Sequence, residues 1–441
     1  MTESAERRAV VLGAGTAGLL AARVLAESHD QVTVVDRDDL PASTEPRRGV
    51  PQAQHAHALL ARGQQILEEL FPGLTEELEL EGAMTGAFLG DTRMLLSGER
   101  LRSGPSGLIA LSASRGLLEG RIRARVRELP GVRLLPRSQA VGIRHDGGIV
   151  TGVRLKPRST DGPGDFLEAR TVVDATGRTS RAPAWLEAIG CPAPAEEKVP
   201  IDLAYATRRY RLGSDSLKGD LAVVHGLTAS HPRGGVLALL EGEQGIVTLA
   251  GIVGDRPPSD PDGFELYAKS LQFGDIGDVI SGAQPIDDPV TYRFASSTWR
   301  HYERARGLPE GFAVMGDALC SFNPIYGQGM TIAALETLVL RRHLEQHGRI
   351  RPSPFHRHVA RVVRPAWRMA TGADVLLPQL DRRPTRGQQV LGAYVRRLHA
   401  RAAKDETLSR SFVRVSGLVD RPEALFRPRV ARRVFGPSPR H

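Results

Sequence analysis

Aromatic residues are scarce in this chain: 12 Phe, seven Tyr and three Trp among 441 residues. The tryptophans Trp185, Trp299 and Trp367 stand alone in the sequence. No basic tract with interleaved aromatics exists, which argues against a nucleic-acid surface. Cysteine is nearly absent: Cys191 and Cys320 lie far apart and form no metal or redox motif. That excludes a disulfide scaffold and reads as free thiols in a reducing compartment, hence a cytoplasmic protein. No run of about 18 apolar residues occurs, so no spanning helix is expected. The opening MTESAERR is polar and charged, unlike a secretory signal.

What is present is an ordinary globular composition, 41% apolar and 25% charged, on a chain long enough for two or three packed domains. The formal charge of +9 is carried mainly by arginine. The basic residues read as spread through the chain and interleaved with acids, so no nucleic-acid partner is expected.

Residues 8–12 (RAVVL) read as a buried strand, 13–18 (GAGTAG) as a glycine loop, LLAARVLAES as a helix, and 31–35 (QVTVV) as a second strand ending at Asp36. The spacing Gly13-x-Gly15-x-x-Gly18 allows a tight turn, backbone approach to a pyrophosphate and close helix–strand packing. The helix start offers N–H groups and a positive dipole end to phosphates, and Asp36 is placed to accept from a ribose. Thr16, Ala17 and Arg37 flank these positions as cofactor-binding candidates. A loop over 41–51 precedes a helix through about 70, at whose start His55 and His57 fall. Positions i and i+2 share no helix face, so a metal role is not expected. A second helix is predicted within 112–129, and short strands over 132–156. Residues 171–174 (TVVD) read as another buried strand, closed by ATGRTS. From 185 to 290 the pattern alternates, as in an antiparallel sheet with one covered face.

The segment GFAVMGDALCSFNPIYGQGM (311–330) is the most specific. Gly316-Asp317 ends a strand, where a carboxylate can hold ribityl hydroxyls. Pro324, Gly327 and Gly329 bring backbone close to a flat ring, with Gln328 and Met330 in the same loop. The following helix points its N-terminus at that loop, where it would stabilise negative charge on a reduced flavin. Tyr326 and His55 are candidates for lining a substrate cavity.

Taken in order, GAGTAG, DATG and GD…P…GQGM resemble the FAD-dependent monooxygenases of the aromatic hydroxylase and squalene epoxidase group, over essentially the whole chain. PRRGVPQAQHAHALLARG (46–63), the 311–330 segment and TGADVLLP (371–378) are most similar to bacterial polyether-antibiotic epoxidases. The resemblance implies that Arg48 and Gly49 run along the flavin, with Arg48 as the flavin-proximal catalytic candidate. It implies that Arg115 reaches the cofactor and that Ala140 and Val141 meet the adenine through backbone. It also implies an α/β (α+β), glutathione-reductase-like FAD-binding fold containing a Rossmann-like unit, an inserted antiparallel-sheet substrate domain and a C-terminal helical region. The expected boundaries are 1–75, 101–184 and 291–350 for FAD binding, 76–100 and 185–290 for substrate, and 351–441 for the helical region.

The activity implied is insertion of one oxygen atom from O2 into a small, largely apolar molecule through a flavin C4a-hydroperoxide, by epoxidation or hydroxylation, in secondary metabolism. FAD is the expected cofactor, and NADPH or NADH the electron source, directly or through a separate flavin reductase. Three readings on the same fold are weaker, one of them a non-enzymatic protein-binding or prenyl-binding module, which would be marked by lost flavin contacts where all three motifs are intact. A halogenase would carry WxWxIP and a prenyl reductase PxxYxWxFP, and neither segment is present.

Overall fold

The computed structural model describes residues 7–41, 54–157, 165–377, 380 and 383–436. Among these, the strands Phe312–Val314, Thr171–Asp174, Arg8–Leu12, Gln31–Val35 and Val132–Leu135 form one parallel sheet in that order. These strands read as continuous apolar runs because both faces are covered, as parallel sheets require. Helix Thr16–Leu25 links the two central strands, and helix Gly329–His347 packs against it. The contact between loop and helix is tight: a Cβ on Gly18 would sit 1.8 Å from the Gly13 carbonyl oxygen.

The second layer is an eight-stranded sheet built on Glu196–Arg211, Gln244–Ile252 and Arg233–Leu240, paired antiparallel. Strand Val290–Arg300 extends one side, and Ala222–His225 with Thr92–Leu96 the other. The sheet thus recruits strands from outside 185–290. Helices Pro261–Lys269 and Asp275–Ile280 cover one face, with Phe264, Tyr267 and Ile276 buried against the sheet. Alternation alone gave no hint of these short helices, although Asp260 caps the first by accepting from Gly263 N–H.

The long helix Pro352–Asp374 follows, then Arg386–Ala402, Glu406–Ser416 and Pro428–Phe435. The last three build a core of their own around Leu398, Leu408, Val413 and Val434, closed by Leu89, Met94 and Leu101 from the edge of the large sheet. The expected fold class, a parallel-sheet layer joined to an antiparallel one, is the one observed.

Two boundaries differ from expectation. The helix placed from the loop through 70 begins only at Ala61, so His55 and His57 precede it. That segment is held open because Ala56 N–H donates to Thr248 Oγ1 and His55 bonds Thr207, both on the large sheet. The helix within 112–129 spans Arg115–Arg127, because Ser112 pairs in strand Ile109–Ser112 and Ser114 caps the helix by accepting from Leu117 N–H.

Candidate functional site

At the carboxyl ends of the parallel strands the glycine loop turns as its sequence requires. Gly13 has φ +96° and donates to Val35 O at 2.7 Å. A Cβ there would lie 2.5 Å from Ala175 O, so the loop leans directly on the DATG turn. Asp36 is buried at the tip of its strand, accepting from Ala14 N–H at 2.7 Å and from Asp38 N–H at 2.9 Å. Both bonds fix the carboxylate beside the loop. Arg37 is exposed, with Nε 3.5 Å from Asp38 Oδ2.

Beneath the loop lies a charged cluster. Thr16 Oγ1 donates to Glu119 Oε1 at 3.0 Å, and Arg115 donates to the same oxygen from Nε and Nη2 at 3.0 and 2.8 Å. Arg115 Nη1 lies 2.5 Å from His57 Nε2, while His57 Nδ1 lies 2.7 Å from the His55 carbonyl oxygen. A carbonyl only accepts, so Nδ1 carries the proton and Nε2 accepts from Arg115. Burial, and then the Arg115 charge, hold the His57 pKa down to about 3, so this imidazole stays neutral.

The third motif closes the space from the other side. Gly316 has φ +63°, and a Cβ there would lie 2.7 Å from Ala17 Cβ, which joins the first and third motifs. Asp317 stands beside it, near the start of helix Gly329–His347: a Cβ on Gly329 would be 3.8 Å from Asp317 Oδ1. Burial raises the Asp317 pKa, while Arg115 and Arg178 pull it down. The same two arginine charges act on Tyr205 of the large sheet. Arg115 and Arg178 therefore lie within electrostatic reach of both Asp317 and Tyr205.

The Gly316 N–H is held by Glu336 Oε2 at 2.6 Å, from inside helix Gly329–His347. Glu336 is fully buried, and its Oε1 has no partner among the described residues. Burial pushes its pKa up to about 8, with the Gly316 bond opposing. The folded state therefore binds a proton that the unfolded chain releases near the ordinary glutamate value. This carboxyl's stabilising contribution is complete at low pH and is lost as pH rises toward 8. Glu336→Gln keeps an acceptor for Gly316 N–H without the titration. It is expected to flatten the decline in stability between about pH 5 and 8, read by urea unfolding across that range; an unchanged slope would contradict it.

The candidates of segment 324–330 lie in one turn and the helix start that follows it. Pro324–Tyr326 is one 3-10 turn, followed by Gly327 at φ +62°. A Cβ on Gly327 would lie 2.5 Å from Ala58 Cβ, so the loop presses directly on the segment that carries His55 and His57. Gln328 is buried with Oε1 unpartnered among the described residues, and Met330 is half-buried in the first turn of the helix. Tyr326 OH donates to Asp374 Oδ1 at 2.8 Å, and Asn323 Nδ2 donates to the same oxygen at 2.9 Å, tying this loop to the end of helix Pro352–Asp374. Burial lifts the Asp374 pKa to about 6. Tyr326 is thus anchored through its hydroxyl.

His55 is buried with Nδ1 2.8 Å from Thr207 Oγ1, which is 2.7 Å from Thr248 Oγ1. Its ring stands edge-on to Tyr205, centroids 4.6 Å apart, with Tyr292 at 5.8 Å. Burial holds its pKa down to about 4. This wall of the large sheet is aromatic and hydroxyl-lined rather than purely apolar.

Ala140 lies at a bulge in strand Ser138–Asp146: pairing passes from Ala140↔Leu155 to Gly142↔Arg154, stepping over Val141, which is partly exposed. Arg48 and Gly49 lie outside the described residues. Arg178, Glu336, Asp374, Tyr205 and Tyr292 were not singled out from sequence. Of these Arg178 had a local signal as the basic residue of the ATGRTS turn, and Asp374 lay in the quoted segment TGADVLLP; the Arg178 guanidinium lies 4.0 Å over the Phe294 ring. Asp174 of the same motif is fully buried and accepts from Thr176 N–H, Thr176 Oγ1 and Ser180 Oγ. Its carboxylate shapes the turn.

The architecture matches solved flavoproteins. p-Nitrophenol 4-monooxygenase PnpA from Pseudomonas putida DLL-E4 superposes with a TM-score of 0.66 at 16% identity, over 94% of this chain and 99% of that one. Flavin-dependent brominase Bmp2 gives 0.61 at 15% identity, over 93% and 92%. The fold is that of FAD-binding monooxygenases and flavin-dependent halogenases. No family model matches the chain. Protein Rv3254 of Mycobacterium tuberculosis is 34% identical over 436 residues, 93% of this chain and 90% of its own length, and the chain belongs to the same family as that protein.

Proposed function

We propose that the protein is an FAD-dependent monooxygenase that inserts one oxygen atom of O2 into a small, largely apolar substrate, by epoxidation or hydroxylation, in secondary metabolism. The observation that supports this best is the meeting of two glycine loops at Ala17 and Gly316, with Asp317 beside them within reach of the Arg115 and Arg178 charges. The residues fit the cofactor. A buried acceptor without a donor, Gln328 Oε1, lies in the loop that would face the ring, and Gly15 leaves the mouth of helix Thr16–Leu25 without a side chain.

In this reading the first-turn N–H groups of helix Thr16–Leu25 hold the pyrophosphate, and Asp36 takes the ribose. Asp317 holds the ribityl hydroxyls. The start of helix Gly329–His347 directs its positive end at the ring, which favours an anionic reduced flavin. Arg48, Gly49, Arg37, Ala140 and Val141 complete the set on the resemblance to flavin epoxidases. Bound FAD supplies the activation of O2 once reduced by NADPH or NADH, directly or through a reductase. The protein's part is then positioning and exclusion of water. His55 and His57 are neutral, so the wall beside Tyr205 and Tyr292 carries no histidine charge, which suits an uncharged substrate.

Asp317→Ala is expected to weaken FAD retention by about 1–3 kcal/mol, the range for a lost buried hydrogen bond, measured by titrating apoprotein with FAD. Unchanged affinity would remove Asp317 from the site. The activity itself is tested by O2 uptake with NADPH and panels of polyenes and phenols. Substrate-dependent uptake with stoichiometric product supports the proposal; alkene saturation without O2 consumption assigns the protein to the prenyl-reductase alternative.

A further inference from the structure

The positive charge is concentrated at one end of the chain. Of 59 basic and 50 acidic residues, 14 and four lie in residues 383–441, leaving 45 and 46 in the first 382. Interleaving holds for that first part, which is close to neutral. The entire excess sits in the C-terminal helical region.

Those helices also expose apolar side chains on one face. Phe435 is 62% exposed, Phe426 50%, Val390 71% and Leu391 45%. They are contiguous: Tyr394 stacks on Phe426 at 4.9 Å and meets Phe435 at 5.8 Å between centroids. Val390 and Leu391 precede Tyr394 by four and three positions on helix Arg386–Ala402, hence on the same side. Arg397 lies 5.4 Å over the Phe435 ring. Arg386, Arg396, Arg421, Arg427, Arg429 and Arg432 form no ion pair among the described residues. Beside Phe426, a cavity of about 340 Å³ is lined by Thr407, Arg410, Ser411, Arg414, Asp420 and Arg427. Within it Asp420 is taken by Arg414, while Arg410 Nε is buried without an acceptor.

We propose that this C-terminal face docks the enzyme on an anionic lipid surface. Exposed aromatics enter the headgroup layer while the surrounding arginines pair with lipid phosphates. Charge complementarity selects this occupant. A second copy would set two faces of like charge together, and a nucleic acid gives no use for Val390, Leu391 and the exposed phenylalanines. No described helix is long and apolar enough to cross a membrane, so the attachment is peripheral.

The test is flotation of the FAD-loaded full chain with phosphatidylcholine vesicles, alone or with about one third phosphatidylglycerol, at about 0.1 and 0.5 M salt. Binding to the anionic vesicles at low salt, weakened at high salt and absent on the neutral ones, is expected. R427Q/R429Q/R432Q should lose on the order of a hundredfold in partitioning, at roughly fivefold per arginine. F426A/F435A should lose about tenfold, and Val390→Ser probes the same face without disturbing an aromatic stack. All these side chains are exposed, and retained flavin absorbance confirms folding. The proposal is overturned by absence of binding to anionic vesicles. It is equally overturned by apolar-face variants that partition like the parent, by a DNA duplex that retains the protein where vesicles do not, or by a dimer that F426A/F435A dissolves without vesicle binding.

Discussion

Gly15→Val is expected to yield a folded, colourless protein. The three glycines of the first loop do different work. Gly13 adopts φ +96°, and Gly18 has no room for a methyl beside the Gly13 carbonyl, so substitution at either would damage the strand–helix junction itself. Gly15 has φ −78° and ψ −179°, extended backbone open to any residue. A requirement for glycine there comes from what approaches the loop from outside, and a pyrophosphate in contact with backbone is such a ligand. Valine's branched side chain would occupy that space. FAD affinity should fall by at least roughly a hundredfold, about 2.7 kcal/mol, while urea unfolding of the apoprotein shifts little. Full FAD occupancy in Gly15→Val would contradict the placement of the cofactor.

Arg115→Leu should be the most destabilising single change at the site. The Arg115 side chain is 13% exposed and that of Glu119 6%, and Glu119 Oε1 receives both guanidinium bonds. Leucine fills much of the volume but takes both guanidinium bonds from the buried Glu119 Oε1, and His57 Nε2 loses its donor. Breaking a buried pair from one side costs about 3–5 kcal/mol; partial exposure of the arginine places the expectation near the lower end. The distinguishing result is rescue. Adding Glu119→Gln removes the buried charge that lost its two guanidinium bonds and keeps an acceptor for Thr16 Oγ1, so the double variant should regain at least about half of the lost stability. It should still bind FAD weakly, because the positive charge near Asp317 is gone. A double variant as unstable as the single one would show that the guanidinium acts through packing alone.

The loops were legible because their requirements are local. A glycine needed for a turn or a close approach leaves its mark at that position, as at Gly13, Gly316 and Gly327. The walls were not legible because their partners are remote: His55 and Thr207 are 152 positions apart, and Tyr326 and Asp374 are 48 apart. Glu336 reads as a polar residue of an amphipathic helix. Nothing in that pattern says that its carboxyl is buried to receive the Gly316 N–H. The helices Pro261–Lys269 and Asp275–Ile280 were hidden because both are too short for a 3.6-residue period to stand out. The charge asymmetry needed only a count by region, which a whole-chain total conceals.

The central claim is oxygen insertion on a bound flavin, and the most direct test follows the oxygen. FAD-loaded protein, NADPH and a substrate identified by stimulated O2 uptake are incubated under heavy-isotope oxygen gas, and the product is weighed by mass spectrometry. The account predicts one labelled atom per product molecule, present as an epoxide or hydroxyl, and no label when the gas is ordinary oxygen in heavy-isotope water. An unlabelled product, with a saturated carbon–carbon bond in place of the expected oxygen, would contradict it.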